Sequence, residues 1–160
     1  MRRAAIALLV AFGLATPPAW AALQITSDHR AIFFGLMKLD ESKELAQSGS
    51  YHNEITCIST NGRQWQLKIS LLQPLVGGGE EIAMENFEWQ LAATTGHGNP
   101  AQPYRFVPFS LMPELVYMSA TDEAEGTPVR FQFKYRLKIP ELQVSGTYQT
   151  TIRITVTEML

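Results

Sequence analysis

The chain has 160 residues, of which 46% are apolar and 18% are charged, and its formal net charge is −2. This composition fits one globular domain and excludes a disordered tail, and the near-neutral charge is not that of a nucleic-acid-binding surface. The single cysteine, Cys57, excludes an internal disulfide and a zinc site built from several cysteines.

The first 21 residues have the three parts of a secretory signal peptide. A basic start at Arg2 and Arg3 precedes an apolar run over 4–15, and Ala19 and Ala21 stand at the −3 and −1 positions of a cleavage site. The apolar run is shorter than the roughly 20 residues that cross a bilayer. We therefore predict cleavage after Ala21, and a mature domain over 22–160 that is exported to the periplasm or cell surface without a membrane span.

Short segments of alternating apolar and polar residues predict strands throughout the mature domain. In chain order they are 23–26, 31–34, 53–59, 65–71, 87–91, 104–109, 115–119, 131–139 and 148–156. In 131–139 every odd position is apolar and every even position is polar, which is the pattern of a strand with one buried face. Because turn-forming residues separate these segments, the sequence predicts an all-β fold, an antiparallel sandwich or barrel.

Two local interpretations concern the first half of the domain. Good helix formers over 38–47 predict a surface turn or a brief helix. Asn61-Gly62, between two strand patterns, predicts a β-hairpin. A three-residue loop places Cys57 opposite Trp65, whereas a two-residue loop places Cys57 on the solvent-exposed face. The register with the three-residue loop is preferred because it buries more apolar side chains.

The sequence contains no catalytic or metal-binding motif among those with a known mechanism. His29, His52 and His97 do not stand at metal-ligand spacings from one another, and none of them neighbours a cysteine. Cys57 has three interpretations: a small buried apolar residue, which is preferred, an intermolecular disulfide, or a nucleophile. We expect a protein that is not an enzyme and that uses neither a cofactor nor a metal.

The end of the chain bears on how the fold is completed. Gly146-Thr147-Tyr148 opens the last predicted strand, and a Gly-x-Tyr at this place makes a tyrosine corner at the start of the sixth strand of an immunoglobulin-like sandwich. If Tyr148 has that role, the seventh strand is missing and a sheet edge stays unpaired. A complete sandwich whose last strand merely begins with these residues is the alternative.

A missing strand has to be supplied by the domain's own N-terminal segment or by another subunit, through main-chain pairing and alternate side chains that fill pockets. The candidate acceptor edge carries the apolar residues Tyr148, Ile152, Ile154 and Val156. The candidate exchanged segment is 23–34, and its residues are Leu23, Ile25, Ala31 and Phe33.

Segment 128–158, with its ending Gly146-Thr-Tyr148-Gln-Thr-Thr-Ile-Arg-Ile-Thr-Val-Thr, resembles the close of subunits in the spore coat protein U and archaic chaperone–usher pilin group. The resemblance implies a secreted, immunoglobulin-like subunit that assembles by donor strands. Trp65-Gln-Leu67, Trp89-Gln-Leu91 and the same tail are similar to the WxL cell-wall-binding domain. That second resemblance implies a surface β-sandwich that binds the cell wall.

These observations predict an immunoglobulin-like antiparallel β-sandwich without catalytic activity. Its expected role is that of a structural subunit of a surface pilus or coat, with other protein subunits, copies of itself or a chaperone, as partners. The alternative is a monomeric module that binds cell-wall polymer or another surface protein. Nucleic acid is not an expected partner.

Overall fold

A computed structural model describes residues 4–9 at the level of the backbone, together with residues 23–46, 51–102 and 104–159. The strands are β1 (Ala4–Leu9), β2 (Leu23–Ser27), β3 (Ala31–Met37), β4 (Ser42–Leu45), β5 (Asn53–Ser59), β6 (Trp65–Leu71), β7 (Leu75–Gly77), β8 (Glu80–Ile82), β9 (Phe87–Thr94), β10 (Asn99–Pro100), β11 (Val107–Pro108), β12 (Glu114–Met118), β13 (Val129–Lys138), β14 (Thr147–Tyr148) and β15 (Ile152–Glu158). Two 3-10 helices span Met84–Asn86 and Thr121–Ala124. The predicted all-β fold is confirmed, and no helix in the described part of the chain has the length and apolar character to cross a bilayer.

The strands form two larger sheets, one small sheet and a hairpin. The largest sheet has the order β11-β9-β13-β5-β2, with β4 also paired to β13, and the second has the order β10-β12-β6-β15. A three-stranded sheet has the order β14-β1-β3, and β7 pairs with β8. Apolar residues of both larger sheets and of β3 form one core. The described pairs are antiparallel except for β1 with β14, which is parallel.

Strand β13 shows how the sequence pattern builds this core. Its odd residues, from Val129 to Leu137, are all buried, and the even residues between them are half-buried or exposed. Each buried side chain of this size contributes about 1.5–3 kcal/mol relative to its exposed state. Strand β9 pairs with one edge of β13, and β5 and β4 pair with successive parts of the other edge. The strand predicted at 131–139 is therefore confirmed as the centre of the largest sheet.

The predicted hairpin at Asn61-Gly62 is wrong. Strand β5 pairs with β2 and β13, whereas β6 pairs with β12 and β15, so the two strands belong to different sheets. Cys57 lies opposite Ile25 and Val129 instead of Trp65. The alternation in β5 and β6 required only that each strand bury one face, and two facing sheets satisfy this as well as a hairpin does.

The helix or turn predicted over 38–47 is a turn followed by a strand. Asp40, with a φ of 56°, lies in the turn, and Ser42–Leu45 then pairs with the second half of β13, from Tyr135 to Lys138. Strand β5 reaches only as far as Phe133, so the rest of this edge of β13 is free to bind β4. The gain from main-chain pairing thus overrides the helix propensity of the segment.

Candidate functional site: a strand slot beside the final strand

The candidate site is a gap between β3 and β14 that takes the width of one strand, called here the slot. In this structure the backbone of β1 lies in it, with Ala5 opposite both Leu36 and Thr147, and Ile6 opposite both Gly35 and Tyr148. Within the described residues, β3 and β14 have no strand partner apart from β1. Apart from the Phe34 carbonyl oxygen, which accepts a hydrogen bond from Nζ of Lys43 at 2.6 Å, the main-chain groups that face the slot therefore depend on its occupant for pairing.

The β3 wall keeps its apolar face toward the core despite an irregularity. Ile32 and Phe34 are buried, as alternation requires, but the next buried residue is Met37. Gly35 has a φ of 73° and lies where the register between β1 and β3 shifts, which is the geometry of a β-bulge. The bulge lets both ends of β3 contribute to the core.

The β14 wall is held by Tyr148, which is fully buried. Its hydroxyl donates a hydrogen bond to the carbonyl oxygen of Val144, at 2.7 Å, and accepts one from the Nε2 amide of Gln143, at 2.8 Å. The return of the phenol to a backbone oxygen four residues upstream is the contact predicted for a tyrosine corner. The corner fixes where the chain enters the slot wall.

Replacing Tyr148 by phenylalanine should lower the free energy of unfolding by about 1–2 kcal/mol, because the Val144 carbonyl loses its donor while the ring stays in place. Urea unfolding of the variant measures this loss. Tyr104→Phe, on a side chain that is 66% exposed, is the matched control and should change stability by less than about 0.5 kcal/mol. Equal losses in the two variants would contradict a structural role for the corner.

The final strand, β15, has one paired edge and one open edge. It pairs with β6 from Ile152, opposite Leu71, to Glu158, opposite Trp65. Across the parts of the chain that the structure describes, no strand pairs with its other edge. The predicted acceptor residues thus lie together on β14 and β15: Tyr148 and Ile152 are buried, and Ile154 and Val156 are half-buried against the core.

The predicted exchanged segment, 23–34, is divided between two strands. Leu23 and Ile25 lie in β2, which pairs with β5, and both pack against the core. Ala31 and Phe33 lie in β3, the wall of the slot, and Phe33 is 61% exposed. Exchange of the whole segment with a neighbouring subunit would break the β2–β5 pairing, and it stays a prediction.

Cys57 is a free cysteine whose side chain is fully buried between strands of the largest sheet. Burial raises the pKa of its thiol to about 12, so the thiol is protonated at neutral pH and is a poor nucleophile. A disulfide between subunits would require Cys57 to leave the core. The intermolecular disulfide stays a prediction, and packing accounts for the residue in this structure.

A buried carboxylate that the sequence does not reveal lies at the end of the second sheet. Glu123 is 1% exposed and accepts hydrogen bonds from the Tyr117 hydroxyl at 2.7 Å, the Ala120 N–H at 2.7 Å and the His97 N–H at 2.9 Å. Burial, followed by the hydrogen bond to Glu123, raises the pKa of Tyr117. The network joins β12, the second 3-10 helix and the loop after β9. In the described residues no group of three or more His, Cys, Asp and Glu side chains is arranged to hold a metal ion.

Two histidines meet at the turn between β2 and β3. The ring centroids of His29 and His52 are 5.8 Å apart, and the His52 ring stands edge-on to Tyr135 at 6.0 Å. Nε2 of His52 is buried and has no hydrogen-bond partner among the described residues. Burial lowers the pKa of His52 from 6.5, the neighbouring His29 lowers it further, and Asp28 partly opposes them.

Acidification should therefore destabilise the protein through His52. Because the pKa is lower in the folded state, the unfolded chain binds the proton first, and the contribution to stability is full above about pH 6.5 and is lost as pH falls through the folded-state pKa. Unfolding free energies between pH 7.5 and pH 5 measure the loss, which should be smaller in His52→Gln. Identical profiles for the wild type and His52→Gln would contradict the assignment.

Comparison of the chain with protein-family models, with curated proteins and with solved structures finds no match. The fold and the slot define it as an all-β protein of antiparallel sheets with an open edge on its final strand. The resemblances to coat and pilus subunits and to wall-binding domains stay interpretations of short sequence motifs.

Proposed function

We propose that this chain is a non-catalytic, exported structural subunit of a surface pilus or coat, and that a strand from another protein chain completes its fold. One observation carries the proposal. Strands β3 and β14 pair with no strand other than β1 in the described residues, and β1 lies within the segment that the sequence predicts to be cleaved. After cleavage, both walls of the slot would need a strand from elsewhere.

The strand order supports an immunoglobulin-like sandwich. With β2, β5, β13 and β9 as strands A, B, E and D, and β15 and β6 as F and C, the neighbours in each sheet follow the order of a constant-type domain. In this assignment strand G would pair with the open edge of β15, which belongs to a different sheet from the slot. One departure is that β12, the partner of β6, follows β9 in the chain instead of preceding it.

A monomeric wall-binding module is the second candidate, and the tryptophans favour it less. Carbohydrate stacking needs an aromatic ring on the surface, but Trp65 and Trp89 are at most 1% exposed. Their Trp-x-Leu motifs therefore contribute to the core. The exposed aromatics Tyr104 and Phe33 and the exposed Met112 are among the surface residues that such a module could use.

The oligomeric state of the chain that begins at Ala22 tests the proposal. By size exclusion with light scattering we expect this protein to form oligomers, or to stay monomeric only while a strand-donating partner is bound. Further deletion of 22–34 removes β2 and residues 31–34 of β3, the part that precedes Gly35, and should abolish assembly. A stable monomer that binds no partner strand would overturn the proposal in favour of the monomeric module.

A further inference from the structure

We infer that Ala4–Leu9 is an internal placeholder for the slot: the acceptor is closed while this segment remains in the chain, and its removal opens the acceptor to a strand in trans. The inference rests on the proposed function and adds how the site is regulated. Cleavage of the N-terminal segment would then have to precede binding of the partner strand, because an acceptor that is still closed cannot bind that strand.

The pairing of β1 shows why the slot is closed. The segment is the central strand of its sheet, antiparallel to β3 from Ala31 to Met37 and parallel to β14 at Thr147 and Tyr148. A central strand uses the main-chain donors and acceptors on both of its edges. A second strand therefore has no edge to pair with between these walls until β1 leaves.

The register defines what kind of strand can replace β1. The positions at residues 4, 6 and 8 lie opposite Met37, Tyr148 and Ile32, all of them at most 2% exposed. Because directly paired residues share one face of a sheet, these are the core-face positions of the slot. The sequence has Ala, Ile and Leu there, so a competing strand needs apolar residues at three alternate positions.

Gly35 lies opposite the middle position, residue 6, and has no side chain of its own. Among the described residues, a Cβ placed on it would meet the Nζ of Lys43, at 3.8 Å. On the other side of the slot the same position is bounded by the buried Tyr148. The largest apolar residue of a competing strand is therefore expected at its middle core-face position.

The direction of β1 indicates where the competing strand comes from. The occupant of the slot runs antiparallel to β3 and parallel to β14, so a competing strand has to enter in that direction. Strands β2 and β3 already hold places in the fold, so 23–34 of the same subunit does not supply a parallel occupant. The competing strand is thus an extended apolar segment of a second polypeptide.

A labelled peptide with the sequence of residues 1–10, whose two arginines aid solubility, probes the slot in three proteins: the full chain, the full chain with Ile6→Pro, and the chain that begins at Ala22. The chain from Ala22 should bind the peptide, and the full chain should bind it about 100-fold more weakly, because a tethered segment competes at a millimolar effective concentration. Ile6→Pro should restore binding, because proline cannot donate a hydrogen bond from a central strand. Gly13→Pro, which lies beyond β1 in the sequence, is the matched control and should not restore it.

The outcomes separate the two proposals. Equal, tight binding by the full chain and by the chain from Ala22 would overturn the placeholder and leave strand acceptance intact. Binding by neither protein, with a stable monomer from Ala22, would overturn the proposed function and the placeholder together. Weak binding by the full chain that Ile6→Pro does not relieve would show that something other than β1 closes the slot.

Discussion

Replacing Glu123 by alanine is expected to lower the free energy of unfolding by about 3–5 kcal/mol. The carboxylate is buried and accepts hydrogen bonds from Tyr117, Ala120 and His97. Alanine removes the acceptor of the buried Tyr117 hydroxyl and of the two part-buried N–H groups, and a buried unpaired donor costs about 1–3 kcal/mol. Chemical unfolding monitored by tryptophan fluorescence reports the change directly, because the Trp65 Nε1–H donates to the backbone oxygen of Glu123 at 3.3 Å.

Asp122→Asn is the matched control for this prediction. Asp122 is adjacent in sequence and pairs with the His97 ring at 2.7 Å, but both side chains are more than 60% exposed. An ion pair in such a solvated position contributes little, so Asp122→Asn should cost no more than about 0.5 kcal/mol. A loss in Glu123→Ala that is no larger than in Asp122→Asn would show that the network is not structural.

Replacing Gly77 by alanine is expected to destabilise the protein by about 2 kcal/mol and to weaken strand binding in the chain from Ala22 about tenfold. Gly77 ends β7, and the preceding residue, Val76, exchanges two backbone hydrogen bonds with Gln149, at 3.0 and 3.1 Å. A Cβ on Gly77 would overlap the carbonyl oxygen of Thr147 and approach its carbon to 2.6 Å. Since both groups are backbone, the hairpin or the slot wall has to move.

Gly79→Ala separates this close approach from the strain of the turn. Gly79 has a φ of 83°, but no atom of the described residues lies within 4 Å of the place of its Cβ. Alanine there should lower the free energy of unfolding by about 1–2 kcal/mol, because a residue with a Cβ disfavours the left-handed conformation. Strand binding should be unchanged. If Gly79→Ala weakened the binding of the peptide as much as Gly77→Ala, contact with Thr147 would not be the cause.

The sequence predicts the strands better than it predicts their partners. In β13 and β5, alternation places one face against the core, and the strand bounds follow from it. The same alternation does not say which sheet a strand joins, so Asn61-Gly62 was misassigned as a hairpin although it connects two sheets. Strand β4 was missed because its pairing depends on the length of β13, which no local propensity encodes.

The candidate site likewise has features that could be predicted from the sequence and features that could not. The Tyr148 corner was predictable, because its hydrogen bond to Val144 spans only four residues and carries a Gly-x-Tyr signature. The Glu123 network was not, because it forms where residues 26 apart in sequence, His97 and Glu123, converge. The sequence predicts an unpaired sheet edge near Tyr148 but not the slot itself. The apolar run over 4–15 indicates export, and nothing in its composition reveals that its first part pairs with β3 and β14.

Amide hydrogen exchange across Ala31–Met37, in the chain that begins at Ala22, tests most directly whether the fold lacks a strand at this place. In the isolated subunit these amides should exchange rapidly, because the strand that pairs with them has been removed, while those of Val129–Lys138 stay protected. Binding of the residue 1–10 peptide should slow exchange in β3 and leave β13 unchanged. Slow exchange in β3 of the unliganded monomer, comparable to that in β13, would contradict an acceptor slot.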